Sequence, residues 1–178
     1  MGAGVLPATF IKGKLHFLFG RENKHETSAP GFSDFGGGAN GSETQKQTAI
    51  REGGEELTGF LGDDLKRMMK RTWNIDVHEV KYRTHIFYME YDQMLTKYYN
   101  NNQRFIQSHL DADVIKKTKI FEKAEIRWVC VDDLLKMKSQ YRHFFVPTIE
   151  IIVEQQEEIR KFLRSCQQTK RKTRRLDE

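Results

Sequence analysis

Apolar residues recur along this chain with two periods, and the change from one to the other marks its elements. Near the N-terminus, Ala8-Thr9-Phe10-Ile11 and Lys14-Leu15-His16-Phe17-Leu18-Phe19 flank Lys12-Gly13. β-Branched and aromatic residues around a glycine-containing pair predict a hairpin. Pro7, which has no amide hydrogen to donate, is expected to cut Val5-Leu6 short. Residues 21–31 are polar and end in Ala29-Pro30-Gly31, which predicts a surface loop leading to a short strand at residues 32–35. Gly36-Gly37-Gly38, with Gly41 close behind, reads as a turn.

Helical spacing begins at Thr44. With Gln47 three residues on, it forms a capping-box pattern, and the helix is expected to stop at Gly59. A second helix is predicted over residues 63–73, with Leu65, Met68, Met69 and Trp73 turned to the core. Tyr82, Thr84, Ile86 and Tyr88 alternate within residues 80–91, as in a strand that lines a groove. Residues 92–119 show poor periodicity. Tyr98-Tyr99-Asn100-Asn101-Asn102 predicts a loop there, with a short helix at residues 111–117. A strand at 124–131, a short helix at 132–135 and a long amphipathic helix at 147–166 complete the order, the last with Ile149, Ile152, Ile159 and Leu163 inward.

The order is mixed α/β, and 178 residues suit one compact domain, assigned to residues 1–166. No apolar run approaches the roughly 20 residues of a membrane span. Met1-Gly2-Ala3-Gly4-Val5-Leu6 shows no basic segment before an apolar stretch, and Leu6 stands where a myristoylation signal wants a hydroxyl. Neither export nor a lipid anchor is expected. Cys130 and Cys166 are too few for a disulfide framework, which points to a reduced, cytoplasmic compartment and to plain packing roles. A net charge of +5 favours phosphorylated ligands. Residues 167–178 include Lys170-Arg171-Lys172 and Arg174-Arg175 and are expected to form a disordered basic tail, suited to RNA contact or a nuclear address. The six histidines show no metal-ligand spacing.

Candidate chemistry lies in Gly37-(five residues)-Glu43-(seven residues)-Arg51-Glu52-Gly53-Gly54-Glu55-Glu56. On a helix, Glu52, Glu55 and Glu56 stand at i, i+3 and i+4, which puts three carboxylates on one face within reach of a common cation. Hard oxygen ligands suit Mg²⁺ or Mn²⁺. Arg51 can orient a carboxylate through a paired hydrogen bond, and Glu43 can reach back from the loop. A bare Glu-x-x-Glu-Glu in a chain with 31% charged residues would be a solvated acidic face. Six fixed positions at about one in twenty each, however, arise by chance on the order of 10⁻⁶ times in such a chain.

Residues 37–59 resemble the Nudix box, Gly-x5-Glu-x7-Arg-Glu-U-x-Glu-Glu-x-Gly-U, where U is a bulky aliphatic. Gly53 replaces the first U, Thr58 stands where the box has Gly, and Gly59 takes the final U. Gly53 and Gly54 together weaken the helix by roughly 2 kcal/mol relative to alanine. Across residues 4–165 the resemblance implies a Nudix-like α/β/α sandwich with a mixed β-sheet. It implies Mg²⁺ or Mn²⁺ bound by Glu52, Glu55 and Glu56, with Gly37 and Glu43 in the same set. Arg51, Glu55 and Glu56 become the catalytic candidates, and Glu122 or Glu125 the further glutamate that such enzymes draw from a later loop. The general base stays open among Glu55, Glu122 and Glu125. Tyr98, Tyr99 and Phe105, beside Lys97 and Arg104, are candidates for stacking a base and holding phosphate.

The implied activity is hydrolysis of a diphosphate linkage in a nucleoside diphosphate derivative. The partner is then a phosphorylated small molecule, with RNA as a further candidate. RNA cap hydrolysis and diphosphoinositol polyphosphate hydrolysis are alternatives within the same chemistry. A catalytically silent Nudix-like binding module is the reading from a different class.

Overall fold

In the computed structural model, β1 (Gly2–Ile11) and β2 (Lys14–Glu22) form the expected hairpin, in register from Ala8↔Phe17 to Ile11↔Lys14. The structure describes residues 1–23, 30–117 and 121–177. Lys12 and Gly13 take φ of 48° and 79°, the positive pair of a two-residue hairpin turn. β1 continues back through Pro7 instead of stopping there. Gly2 donates to Lys81 and Ala8 accepts from Met89, so even residues point to one flank and Pro7 to the other. On that flank one neighbouring strand ends opposite Val5 and β2 begins opposite Ala8. Pro7 stands in the gap, where its missing N–H costs no ladder bond.

The strand expected at residues 32–35 is two, β3 (Phe32–Ser33) and β4 (Phe35–Gly38). The three glycines are therefore strand and not turn, paired antiparallel with β1 from Val5↔Phe35 to Gly2↔Gly38. Close approach is the reason. A Cβ on Gly36 would lie 2.3 Å from the Gly4 Cα and 2.2 Å from the Tyr82 hydroxyl. Residues 24–29 of the expected loop lie outside the described residues, and Arg21 and Glu22 finish β2.

β5 (Trp73–Val77) and β6 (Tyr82–Tyr88) pair antiparallel, and β6 runs parallel to β1 from Gly2↔Tyr82 to Ala8↔Tyr88. Trp73 thus opens a strand and does not close a helix. It is half-buried, with Nε1 donating to Gln155 Oε1 at 3.1 Å. β7 (Lys123–Cys130) pairs antiparallel with β2. The result is a seven-stranded mixed sheet in the order β3-β2-β1-β6-β5, with β4 on β1 and β7 on β2.

Alternation sends the two sides of each strand into different cores. Ala3, Val5, Leu18, Phe87 and Ile126 join residues of α1 (Gln45–Glu56), α2 (Asp64–Met68) and α3 (Gln93–His109). Leu6, Ala8, Phe17, Phe19, Ile86 and Val129 meet α5 (Val146–Glu154) and α6 (Gln156–Asp177) on the opposite face. This is an α/β/α sandwich. The single helix expected at 147–166 is interrupted at Gln155, yet Ile149, Ile152, Ile159 and Leu163 are all fully buried across the break. α6 carries on as helix to Asp177, through most of the segment expected to be a disordered tail.

A real departure from expectation is α3, which occupies the segment read as a loop; α4 (Ala112–Lys117) follows, and residues 118–120 lie outside the described residues. Asp92 caps α3 by accepting from the Met94 amide. One of its asparagines makes a tertiary contact. Asn100 donates to the Ile126 carbonyl at 3.0 Å and accepts from the Ile126 amide at 2.7 Å. The short helix expected at 132–135 is a pair of 3₁₀ turns, Val131–Asp133 and Leu135–Gln140. Among the described residues, no helix is long and apolar enough to cross a membrane.

Candidate functional site

α1 starts as its sequence dictates. Thr44 accepts from the Gln47 amide, and the Gln47 side chain accepts from the Thr44 amide in return. One turn later the Arg51 guanidinium gathers the acidic residues around it. Its Nε and Nη2 donate to the two Glu43 oxygens at 2.9 and 3.0 Å. Nη1 reaches Glu52 at 2.7 Å and Glu55 at 3.4 Å, and Nη2 also donates to the Gly38 carbonyl at 2.9 Å. Glu43 further accepts from the Asn40 amide and the Thr48 hydroxyl. Hydrogen bonds from Arg51, then from Asn40, hold the Glu43 carboxyl down to about 2.

Glu52 lies over the backbone of β4. A Cβ on Gly37 would fall 2.7 Å from the Glu52 carboxyl carbon, so only glycine leaves room for this carboxylate. Glu52 and Glu55 keep solvent access, with side-chain exposures of 14% and 44%.

Glu56 does not join them, and the expectation of three carboxylates converging on one exposed face fails at this residue. Its side chain is 3% exposed. One oxygen accepts from the Gly36 amide at 2.8 Å and the other faces the Lys123 ammonium at 3.3 Å. Among the described residues, no three His, Cys, Asp or Glu are grouped so as to hold a metal ion. The backbone explains the split. After Glu55 the helix rotates Glu56 under α1 toward the sheet, where the Tyr99 hydroxyl donates to its carbonyl at 2.6 Å.

Lys123 is the functional-region residue that the sequence did not reveal. It is fully buried, and its ammonium contacts Glu22, Ser33 and Glu56; Glu22 also pairs with Arg142 at 2.5 Å. A β-bulge puts it there. Between Arg21↔Glu125 and Glu22↔Lys123, one step on β2 answers two on β7. Ala124 is the extra residue, and the irregularity turns Lys123 to the α1 face. Gly20 leaves space for its stem, since a Cβ there would meet Lys123 Cδ at 2.9 Å. Burial opposes the Lys123 charge, yet Glu56 and Glu22 hold the ammonium above its ordinary value. Burial likewise pushes the Glu56 carboxyl up, against the pull of Lys123. Asp34, buried beside the same cations and accepting from Thr84 and Tyr82, is pushed up to about 6, chiefly by burial.

The later glutamates separate in the same way. Glu125 falls on the strand face shared with Arg127 and Val129, opposite the face of Ile126 that meets α1 and α3. There it pairs with Arg21 at 3.2 Å and Arg127 at 3.0 Å, on the border of a cavity of about 720 Å³ that Phe32 also lines. Glu122 lies near enough to Glu56 to raise its carboxyl.

Of the substrate candidates, Tyr99 is withdrawn. It is fully buried, with its hydroxyl on the Glu56 carbonyl and its ring edge-on to Phe60. Tyr98 and Phe105 are exposed seven residues apart on α3, Phe105 stacking on His109, while Arg104 donates to Asn101. Both departures at the helix end have structural causes. A Cβ on Gly53 would already lie 2.5 Å from Val5 Cγ2, so a bulky aliphatic has no room. Thr58 and Gly59 close α1 with a Schellman pair, Thr58 N–H to Glu55 and Gly59 N–H to Gly54, both at 2.9 Å. Thr58 accepts φ of 50° in doing so, a conformation that favours glycine.

No protein-family model matches the chain. It is 45% identical over 58 residues to the uncharacterized protein L534 of Acanthamoeba polyphaga mimivirus, a stretch covering 32% of this chain and 19% of that protein. The chain therefore matches about a fifth of that relative's length. Two solved structures are similar over most of the chain. One is the Nudix hydrolase RenU from M. smegmatis, at 17% identity and a TM-score of 0.55, covering 89% of this chain and 86% of that one. The other is a C. elegans Ap4A hydrolase in a binary complex, at 15% identity and a TM-score of 0.52, covering 91% and 100%. Identities this low speak of fold alone. With the mixed sheet between two helical layers and the capped glutamate helix against it, the chain has the fold of the Nudix hydrolases.

Proposed function

We propose that this protein is a metal-dependent hydrolase of a diphosphate linkage, acting on a nucleoside diphosphate derivative. The observation that carries the reading is the array at the open side of α1, where Arg51 holds the Glu52 and Glu55 carboxylates beside the glycine strand. The donor set fits Mg²⁺ or Mn²⁺. It offers hard oxygens only, the two accessible carboxylates of Glu52 and Glu55, beside a strand where Gly37 leaves the Glu52 carboxylate room. Glu52 and Glu55 would hold the ion, Arg51 would keep both carboxylates aimed, and Glu43 would keep Arg51 in place. When bound, the ion supplies charge neutralisation on the diphosphate and activation of water. Glu122 is the proposed acceptor of the water's proton, and Tyr98 and Phe105 offer exposed faces on which a base can stack.

Likeness to an Ap4A hydrolase puts dinucleoside polyphosphates first in the assay. Nucleoside triphosphates, ADP-ribose, capped RNA and diphosphoinositol phosphates complete the panel, each with Mg²⁺ and with Mn²⁺. Cleavage of one class, lost when metal is chelated, is the expected result. A binding module is the second reading, favoured by Glu56 being engaged with Lys123. Saturable binding of a panel member with no product over hours would establish that reading and reject hydrolysis.

A further inference from the structure

Glu56 belongs to the box by sequence, yet both its oxygens are already engaged, one by the Gly36 amide and one by the Lys123 ammonium. That ammonium is completely buried, and its surroundings are built for it. Glu22 and Ser33 bind it from the end of the β2–β3 edge, the bulge at Ala124 aims it, and Gly20 gives its stem room. Arg142 also reaches Glu22, so two cations face this carboxylate cluster from inside the protein. A divalent ion brought against Glu56 would meet like charge in a region of low dielectric.

We propose that Lys123 is a resident cation for Glu56: it takes the place beside this carboxylate that a divalent ion would otherwise fill. Glu56 is then a positioning residue that fastens α1 to the sheet, and the metal is held at Glu52 and Glu55. The hydrolysis reading underlies the metal half of this proposal, while the pairing of Lys123 with Glu56 stands independently of it.

The test is Mn²⁺ binding to the full chain, followed by the paramagnetic resonance of free ion and by titration calorimetry, alongside thermal melting. Glu52→Gln and Glu55→Gln should each weaken Mn²⁺ binding by about tenfold or more, and Glu56→Gln by less than about threefold. A loss in Glu56→Gln equal to that in Glu52→Gln would overturn the proposal. Lys123→Met should lower the melting temperature by about 10 °C, and Mn²⁺ should restore part of that loss by entering the vacated cation position. Failure of Mn²⁺ to stabilise Lys123→Met more than it stabilises the unaltered chain counts against the proposal. Should Lys123→Met not fold, Lys123→Met/Glu56→Gln keeps the question open to measurement, since it removes both charges and leaves Glu22 to Arg142. Its melting temperature should exceed that expected from adding the Glu56→Gln loss to a complete loss at Lys123. If the unaltered chain binds no Mn²⁺, the hydrolysis reading falls and melting alone decides: a Lys123→Met loss that is smaller in the Glu56→Gln background than in the unaltered chain supports the pairing, and an undiminished loss refutes it.

Discussion

At its solvent side α1 carries Arg51, with Glu43, Glu52 and Glu55 around one guanidinium; at its inner side Glu56 shares Lys123 with Glu22. Both gather carboxylates around a cation, Arg51 outside and Lys123 inside with Arg142 also on Glu22, separated by little more than a helical turn. Water makes the difference. In the outer array the charges keep partial hydration, so partners can exchange at small cost and an incoming ion can share the carboxylates. In the inner array desolvation has already been met by fixed partners, and losing one leaves a charge that nothing screens. Consecutive glutamates of one motif thereby acquire different physics.

Removing the cation from each array sharpens the contrast most. Lys123→Met should cost about 3–5 kcal/mol of unfolding free energy in denaturant titrations, and Arg51→Met about 1 kcal/mol. Equal losses would mean that burial does not distinguish the two. Turnover should respond in the opposite place. Glu55→Gln is expected to lower kcat on the best panel substrate by about 10²–10³-fold with an unchanged melting temperature, and activity within a factor of three of the unaltered chain would remove Glu55 from the site.

Acidity distinguishes the arrays next. Asp34, beside the inner cations, is raised to about 6 from an ordinary value of 3.8, so the folded protein holds its proton more tightly than the unfolded chain does. Its contribution is complete below about pH 4 and is lost as pH rises through about 6, a change of roughly 3 kcal/mol. Glu43, lowered to about 2, behaves in reverse: its contribution is present above the ordinary value of 4.5 and disappears only as pH falls toward 2. Between pH 4.5 and 7.5 the inner array, unlike the outer one, should move the melting temperature downward, while His85, held down to about 4 chiefly by burial, pulls it the opposite way. Asp34→Asn should flatten that slope, and an unchanged slope in the variant would discard the assignment.

The smallest effects separate two adjacent glycines of the helix that joins the arrays. Gly53→Ala should destabilise by about 1–3 kcal/mol, because its Cβ meets Val5, whereas Gly54→Ala, with nothing within 4 Å, should stabilise by about 1 kcal/mol. Chemical denaturation of both variants suffices, and a shared sign would contradict the packing described.

Local signals made much of this legible. The hairpin at Lys12-Gly13, the Thr44 cap and the inward stripe of α5 and α6 each rest on residues close in sequence, and each appears in the structure. The outer array was readable for the same reason, since Arg51, Glu52 and Glu55 are neighbours on one helix. Lys123 was not, because a bulge against a strand about a hundred residues away decides which way it points. The pairing of Glu125 with Arg21 and Arg127 was hidden for the same reason. The α3 segment failed differently: Asn100 to Asn102 favour turns by composition, and only the contact with Ile126 shows what Asn100 gains in a helix. Leu95, Tyr99 and Gln103, spaced by four, were the overlooked sign of a buried helical stripe.

That contact of Asn100 reaches further than helix packing. Among the described residues β7 pairs with β2 on one side only, so its other side presents backbone donors and acceptors. By offering an amide that donates and accepts as a neighbouring strand would, Asn100 occupies the middle of this row at Ile126. A passing peptide finds no continuous ladder to extend. Self-association through this edge is thus resisted by one side chain in a helix.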